Sequence, residues 1–149
     1  MEFRENYMDE FPVTLTLPVL WGNQDLFGHV NNTVHLRWFE CARVAYWERG
    51  MRSVMKSNDL GPILVNVTCN YRKQIRFPDN ITVGGRVTRV GGSSLTMEHA
   101  IFSEELNAVA ADGHSIVALF NYKKQRTERI TDEILAVMSE TEGRDITRA

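Results

Sequence analysis

Thr33-Val34-His35-Leu36-Arg37-Trp38-Phe39-Glu40-Cys41-Ala42-Arg43-Val44-Ala45-Tyr46-Trp47-Glu48-Arg49 decides the fold. The run holds neither glycine nor proline, and Gly50 follows it as an expected stop. Trp38, Cys41, Ala42 and Ala45 fall on one stripe at helical spacing, and Leu36, Phe39 and Tyr46 widen that stripe. Before Arg49 its only charges are Arg37, Glu40, Arg43 and Glu48, so the helix is apolar around more than half its circumference. Such a helix belongs in a core, and something must wrap it.

The flanking sequence supplies the wrapping. Upstream, Leu15, Leu17, Val19 and Trp21 alternate with Thr14, Thr16 and Pro18, the pattern of a strand with one buried face, and Pro18 points to an edge or a bulge. Downstream, after Asn58-Asp59-Leu60-Gly61-Pro62, the period becomes two: Ile63, Val65, Val67, Cys69, Tyr71, Ile75 and Phe77 share one parity. That run is long for one strand and calls for a bend or bulge within it. Pro78-Asp79-Asn80 turns the chain into Ile81, Val83 and Val87; Gly91-Gly92-Ser93-Ser94 turns it again into Leu95, Met97, His99 and Ile101; a last strand is expected from about Ala108 to Lys123. Short connections make these strands antiparallel neighbours in an expected meander, since a parallel crossover needs a dozen or more residues. Thr131, followed by Asp132 and Glu133, is the expected N-cap of a short helix to about Met138, with Ile130 and Leu135 as a staple, and the polar tail from Glu140 to Ala149 is expected to fray. The class is α+β, a long antiparallel sheet wrapped around one central helix.

Composition bounds the function. The 149 residues are 43% hydrophobic and 24% charged, enough for one core and too few for two. Residues 1–149 are therefore read as a single domain with its core at about 13–135. With 17 Lys plus Arg against 19 acidic residues the net charge is -2, which offers no general attraction to nucleic acid or an anionic membrane. The N-terminal Met1-Glu2-Phe3-Arg4-Glu5-Asn6 is polar where a secretory signal would be basic and then apolar, and Ile116 to Phe120 and Ile134 to Met138 are far shorter than the ~20 apolar residues that span a bilayer. A cytoplasmic location is expected, with no nucleic acid or membrane partner. Cys41 and Cys69 are too few and too far apart for a disulfide framework and are expected to be reduced and buried. His29, His35, His99 and His114 are scattered, with no His-Glu-x-x-His or paired Cys-x-x-Cys, so no metal and no cofactor is expected.

Between the first strand and the helix lies Gly22-Asn23-Gln24-Asp25-Leu26-Phe27-Gly28-His29-Val30-Asn31-Asn32. Asp25 sits in a loop that feeds the N-terminus of the helix, where free N–H groups can stabilise an oxygen that gains negative charge. Gly28 permits a tight turn, and Asn31 or Asn32 caps the helix and fixes where its N–H groups point. A carboxylate beside such donors suits acyl transfer; the bland alternative for Asp25 is an Asx turn without catalysis.

Trp21-Gly22-Asn23-Gln24-Asp25-Leu26-Phe27-Gly28-His29-Val30-Asn31-Asn32, with Phe39-Glu40-Cys41-Ala42-Arg43 and the later Phe77-Pro78-Asp79-Asn80-Ile81-Thr82-Val83 and Gly91-Gly92-Ser93-Ser94-Leu95, resembles the hotdog-fold acyl-CoA thioesterases of the 4-hydroxybenzoyl-CoA thioesterase type. The resemblance implies a hotdog fold and hydrolysis of an acyl-CoA, coenzyme A entering as part of the substrate. It makes Asp25 the catalytic carboxylate, as nucleophile or as general base, and places the oxyanion donor on the main-chain N–H of Asn32. Gly28, His29, Val30 and His35 are the implied substrate-binding residues of the loop and first helical turn, although His29 as a loop histidine can equally be only hydrogen-bonded. His35 stands where many relatives carry tyrosine, and Asn23 stands where aspartate is common. Relatives pair their sheets edge to edge and build each site between two subunits, so a homodimer or homotetramer is implied.

Glu40 invites comparison with a branch whose carboxylate comes from the helix, but Arg37 and Arg43 lie three residues to either side and a structural pair is the stronger reading. Arg72, Lys73, Arg76, Arg86 and Arg89 are the available cations for the phosphates of coenzyme A, and Arg89 with Ser93 and Ser94 of the Gly91-Gly92 turn are the candidates. Two rivals remain open. A hotdog enoyl-CoA hydratase or dehydratase would use Asp25 with His29, yet such relatives space the pair more widely around an Asn-Pro. A non-catalytic acyl-CoA binding protein would share the scaffold.

Overall fold

Helix α1 spans Asn32–Arg49 and buries His35, Trp38, Phe39, Ala42 and Tyr46. The computed structural model describes residue 3 and residues 5–149; positions 1, 2 and 4, part of the stretch that is unlike a secretory signal, lie outside the described residues. The strands are β1 (Val13–Pro18), β2 (Leu60–Tyr71), β3 (Asn80–Val90), β4 (Ser94–Ser103), β5 (Ala108–Asn121) and the short β6 (Arg126–Thr127), followed by helix α2 (Asp132–Glu142). All pairings are antiparallel, in the order β1-β3-β4-β5-β2, with β6 hydrogen-bonded to β5. The sheet curls around α1, as expected of a hotdog fold.

The simple meander is corrected. β3, β4 and β5 follow one another, but β2 lies at the far edge against β5 and does not pair with β3. Short connections force antiparallel direction; they do not force adjacency. The eight residues from Arg72 to Asp79 can span up to about 28 Å, whereas crossing from β2 past β5 and β4 to β3 takes about 14 Å of strand spacing. Ile75 and Phe77 fall in this crossing and not in a strand. The expected irregularity in β2 lies between Leu64 and Asn66, where the register shifts at Val65.

Three further expectations change. Gly50 ends α1 with an extended φ of -166° that any residue could adopt; what demands glycine is Val137 of α2, whose Cγ1 would lie 2.7 Å from an added Cβ. The tail does not fray: Ile146 is buried, the Ala149 N–H donates to Val90 O, and the Arg144 and Arg148 side chains donate to Val87 O and Ile130 O. α2 therefore runs on to Glu142 and is closed by Gly143 at φ +69°. Cys41 and Cys69 are unpaired, as expected, but half-buried.

A polar chain crosses the core between helix and sheet. Buried His99 lies flat on Phe39, ring centroids 4.7 Å apart. Its Nδ1 is 3.0 Å from Gly84 O and its Nε2 is 2.9 Å from Ser115 Oγ. A carbonyl only accepts, so Nδ1 carries the proton and Nε2 accepts from the Ser115 hydroxyl, whose oxygen accepts from Arg43 Nη1 at 2.9 Å.

Burial holds the His99 imidazole down at about 4, against an ordinary value of 6.5. The unfolded chain then binds a proton at pH values where the native chain does not, so stability falls as pH drops from 6.5 to 4, by on the order of 3 kcal/mol. His35, lowered chiefly by burial, adds in the same direction. Urea unfolding between pH 7 and pH 4.5 checks this: the native protein should lose more stability than His99→Gln, and equal losses would contradict it.

Candidate active site

The loop between β1 and α1 is tied at its base by main-chain hydrogen bonds. Val19 N–H donates to Asp79 O at 2.9 Å, Asn31 N–H to Asn23 O at 2.9 Å and Val30 N–H to Ile75 O at 2.8 Å. Asn23 Oδ1 accepts from Leu20 N–H at 2.7 Å, which shapes the turn after β1. At the tip Asp25 N–H donates to His29 O and Gly28 N–H to Asp25 O, each at 3.1 Å. Gly28 has φ +79°, the left-handed conformation that favours glycine.

Asp25 makes the Asx turn of the bland alternative, Oδ1 accepting from Phe27 N–H at 2.9 Å, but that is half of its environment. Its Oδ2 faces the Asn31 amide nitrogen at 3.4 Å. Asn31, not Asn32, is the helix cap: its Oδ1 accepts from Thr33 N–H at 2.9 Å and from the Thr33 hydroxyl at 2.7 Å. One side chain thus caps α1 with its oxygen and holds the carboxylate with its nitrogen. Asn32 is the first residue of the helix, and among the described residues its N–H has no acceptor. Asn32 O accepts from the Tyr71 hydroxyl at 2.9 Å, which fixes that peptide from the β2 side.

The other proposed site residues separate into three groups. Gly28 and His29 are in the Asp25 turn, with Leu26 93% and Phe27 78% exposed beside them. Val30 and His35 are near in sequence but only 2% and 3% exposed: Val30 packs in the core, and His35 lies edge-on to Tyr71 and Trp38 with Nδ1 3.3 Å from Asn31 O. They hold the first turn of α1 from inside. Arg89, Ser93 and Ser94 lie at the β3–β4 turn, about 30 Å along β3 from the end that meets the Asp25 loop, so one chain does not bring them to Asp25.

Glu40 pairs with Arg37 at 3.2 Å on the exposed face, whereas Arg43 turns inward to Ser115. Of the candidate phosphate-binding cations, Arg72 is paired with Asp112 and Arg86 with Glu98 and Glu10. Among the described residues no three His, Cys, Asp or Glu side chains are grouped to hold a metal ion. No helix among them is long and apolar enough to cross a membrane.

Sequence reasoning missed two features. The bridging role of Asn31 is hidden because two adjacent asparagines are equivalent as caps. An apolar cavity against the C-terminal half of α1, lined by Tyr46, Met51, Met97, Leu119, Ile130 and Ile134 among others, leaves no signal in any single segment because several elements build it.

Comparison with known proteins settles the family. The thioesterase-like superfamily profile matches residues 19–138. The chain belongs to the thioesterase-like superfamily. It is 25% identical over 115 residues to the long-chain acyl-CoA thioesterase FadM of Escherichia coli (strain K12), covering 74% of this chain and 84% of that one. Protein YsmA of Bacillus subtilis (strain 168) is 24% identical over 99 residues, 66% of each chain. Among solved structures, a thioesterase from Thermus thermophilus, complexed with coenzyme A and zinc, is 28% identical with a TM-score of 0.80, covering 92% of this chain and 98% of that one. The PA2801 protein of Pseudomonas aeruginosa is 30% identical with a TM-score of 0.75, covering 85% and 97%.

If Asn31 caps α1 as its geometry indicates, Asn31→Ala should cost about 1 kcal/mol in urea unfolding, while Asn31→Ser, an equally good cap that adds no charge beside Asp25, should stay within a few tenths of the native value. Equal losses in both would assign the stability to the Asp25 contact and not to the cap.

Proposed function

We propose that this protein hydrolyses acyl-CoA thioesters at Asp25. The observation that carries the reading is the Asn31 side chain, which joins a loop carboxylate to the first turn of a helix whose leading N–H, on Asn32, is unoccupied by any described residue. A thioester carbonyl set between them has a base or nucleophile on one side and an oxyanion donor on the other. FadM, named a long-chain acyl-CoA thioesterase, and a neighbour that binds coenzyme A support a CoA thioester as substrate.

In the water route, water oxygen attacks the thioester carbonyl carbon while its proton passes to Asp25, and the carbonyl oxygen, now negative, accepts from Asn32 N–H. Collapse breaks the carbon–sulfur bond, and the departing thiolate takes the proton back from Asp25, leaving a carboxylic acid and free coenzyme A. In the covalent route an Asp25 oxygen attacks the carbonyl carbon and the carbon–sulfur bond breaks to release the coenzyme A thiolate; water then opens the resulting anhydride, giving the carboxylic acid and the Asp25 carboxylate, and its remaining proton ends on the thiolate. Both use the same two groups.

A homo-oligomer completes the reading. Among the described residues β2 is a free edge carrying exposed Leu64 and Val65, the kind of edge that recruits another strand. Within one chain Asp25 and the apolar cavity sit at opposite ends of α1, about 22 Å apart along the helix from Asn32 to Trp47. A second copy antiparallel along β2 brings one chain's carboxylate to the other's cavity.

Thiol release from short-chain, long-chain and aromatic acyl-CoAs tests the proposal. Asp25→Asn should lower kcat by about 10² to 10⁴ while melting temperature and oligomer stay unchanged. Undiminished turnover would remove Asp25 from the mechanism, and loss of enoyl absorbance from crotonyl-CoA without thiol release would favour a hydratase.

A further inference from the structure

The apolar cavity has one charged group in its wall. It is a void of about 30 Å³ lined by aliphatic, methionine and aromatic side chains together with Arg43. Of the other polar groups on the lining side chains, the Tyr46 hydroxyl already donates to Glu142 Oε2 at 2.6 Å, and the Trp47 indole N–H is a neutral donor. Outside the cavity runs a surface groove along α1 and β2, and Arg43, Trp47, Pro62 and Val117 line both spaces. Arg43 therefore stands where the two meet.

Its guanidinium is held and also under-used. The Ser115 hydroxyl accepts from Nη1, and Ser115 is in turn oriented by His99, whose ring is fixed by Gly84 O and stacked on Phe39. Guanidinium has five N–H donors, and among the described residues this is the one hydrogen bond Arg43 makes. The acids of the groove make no ion pair with it among the described residues, Glu40 being paired with Arg37 and Glu48 with Arg52, although the Glu40 charge is near enough to act on it. Burial pulls the Arg43 pKa down by more than the Glu40 charge raises it, the mark of a charge short of solvation.

A fixed guanidinium with spare donors, at the mouth of a space whose other lining side chains are apolar apart from the engaged Tyr46 hydroxyl and the Trp47 indole N–H, selects an amphipathic anion. We propose that Arg43, positioned by Ser115 and His99, binds the carboxylate of a short-chain monocarboxylic acid whose apolar tail enters the cavity behind it. The void is small as it stands and suits a short tail. Met51 and Met97 in its wall are unbranched and give way for a longer tail. The ligand is the class of acid that the proposed hydrolysis releases, but its binding is read without turnover.

Calorimetric titration of the full-length protein with butyrate, 1-butanol and butylamine at pH 7 tests this without any variant. Butyrate should bind at least about tenfold more tightly than butanol, and butylamine should not bind. Because the titration contains no thioester, its outcome does not depend on whether Asp25 hydrolyses one, which separates this site from the proposed reaction. Arg43→Gln should lose the preference for butyrate over butanol. Ser115→Ala should narrow that preference while leaving butanol binding unchanged, an outcome that a merely structural role for Ser115 does not produce. Butanol binding as tightly as butyrate, or undiminished butyrate preference in Arg43→Gln, would overturn the proposal.

Discussion

A helix that is apolar around more than half its circumference must be surrounded, and that constraint organises this molecule. Trp38, Phe39, Ala42 and Tyr46 reach the core from one helix, and a single antiparallel sheet curls far enough to meet them. Wrapping the flanks leaves chemistry to the two ends of the helix. At the N-terminus, polar N–H groups that no helix can satisfy internally must find partners in a loop, and the loop carries Asp25. Toward the C-terminus the sheet and α2 close over an apolar space, with Arg43 at its opening.

Much of this is legible in the residues. The helix, the parities of β3 and β4, the irregularity in β2 and the loop carboxylate follow from local pattern and turn chemistry, whereas Trp21, read as continuing the buried face of the first strand, is exposed in the turn after it, and Val65 and Tyr71 of the β2 parity are exposed. What escapes a local reading is long-range. The position of β2 at the far edge depends on how far eight residues reach across a curled sheet, which no local pattern records. The tail reads as polar because its anchors are arginines, and Arg144 and Arg148 work by donating to carbonyls that only the fold places beside them. Gly50 reads as a conformational stop, yet its role is to leave room for Val137, almost ninety residues downstream.

The site shows the same division. Asp25 and the helix N-terminus are adjacent in sequence and can be read together; that one asparagine side chain unites them is a matter of geometry, with its oxygen on Thr33 and its nitrogen on Asp25. Arg43 flanks Glu40 at helical spacing and invites an ion pair, but the stronger partner is Ser115, more than seventy positions away on β5. A buried hydroxyl already oriented by His99 offers a fixed acceptor, whereas exposed Glu40 offers one screened by water and shared with Arg37.

The central claim is that Asp25 and the Asn32 N–H face one thioester carbonyl. The most direct test is a crystal structure with an acyl-CoA analogue whose sulfur is replaced by methylene, so that the carbonyl remains and cannot be hydrolysed. The account predicts the carbonyl oxygen at about 2.7 to 3.1 Å from Asn32 N with an Asp25 oxygen, or a water bound to it, beside the carbonyl carbon. A carbonyl bound elsewhere, with Asp25 turned to solvent, would contradict it.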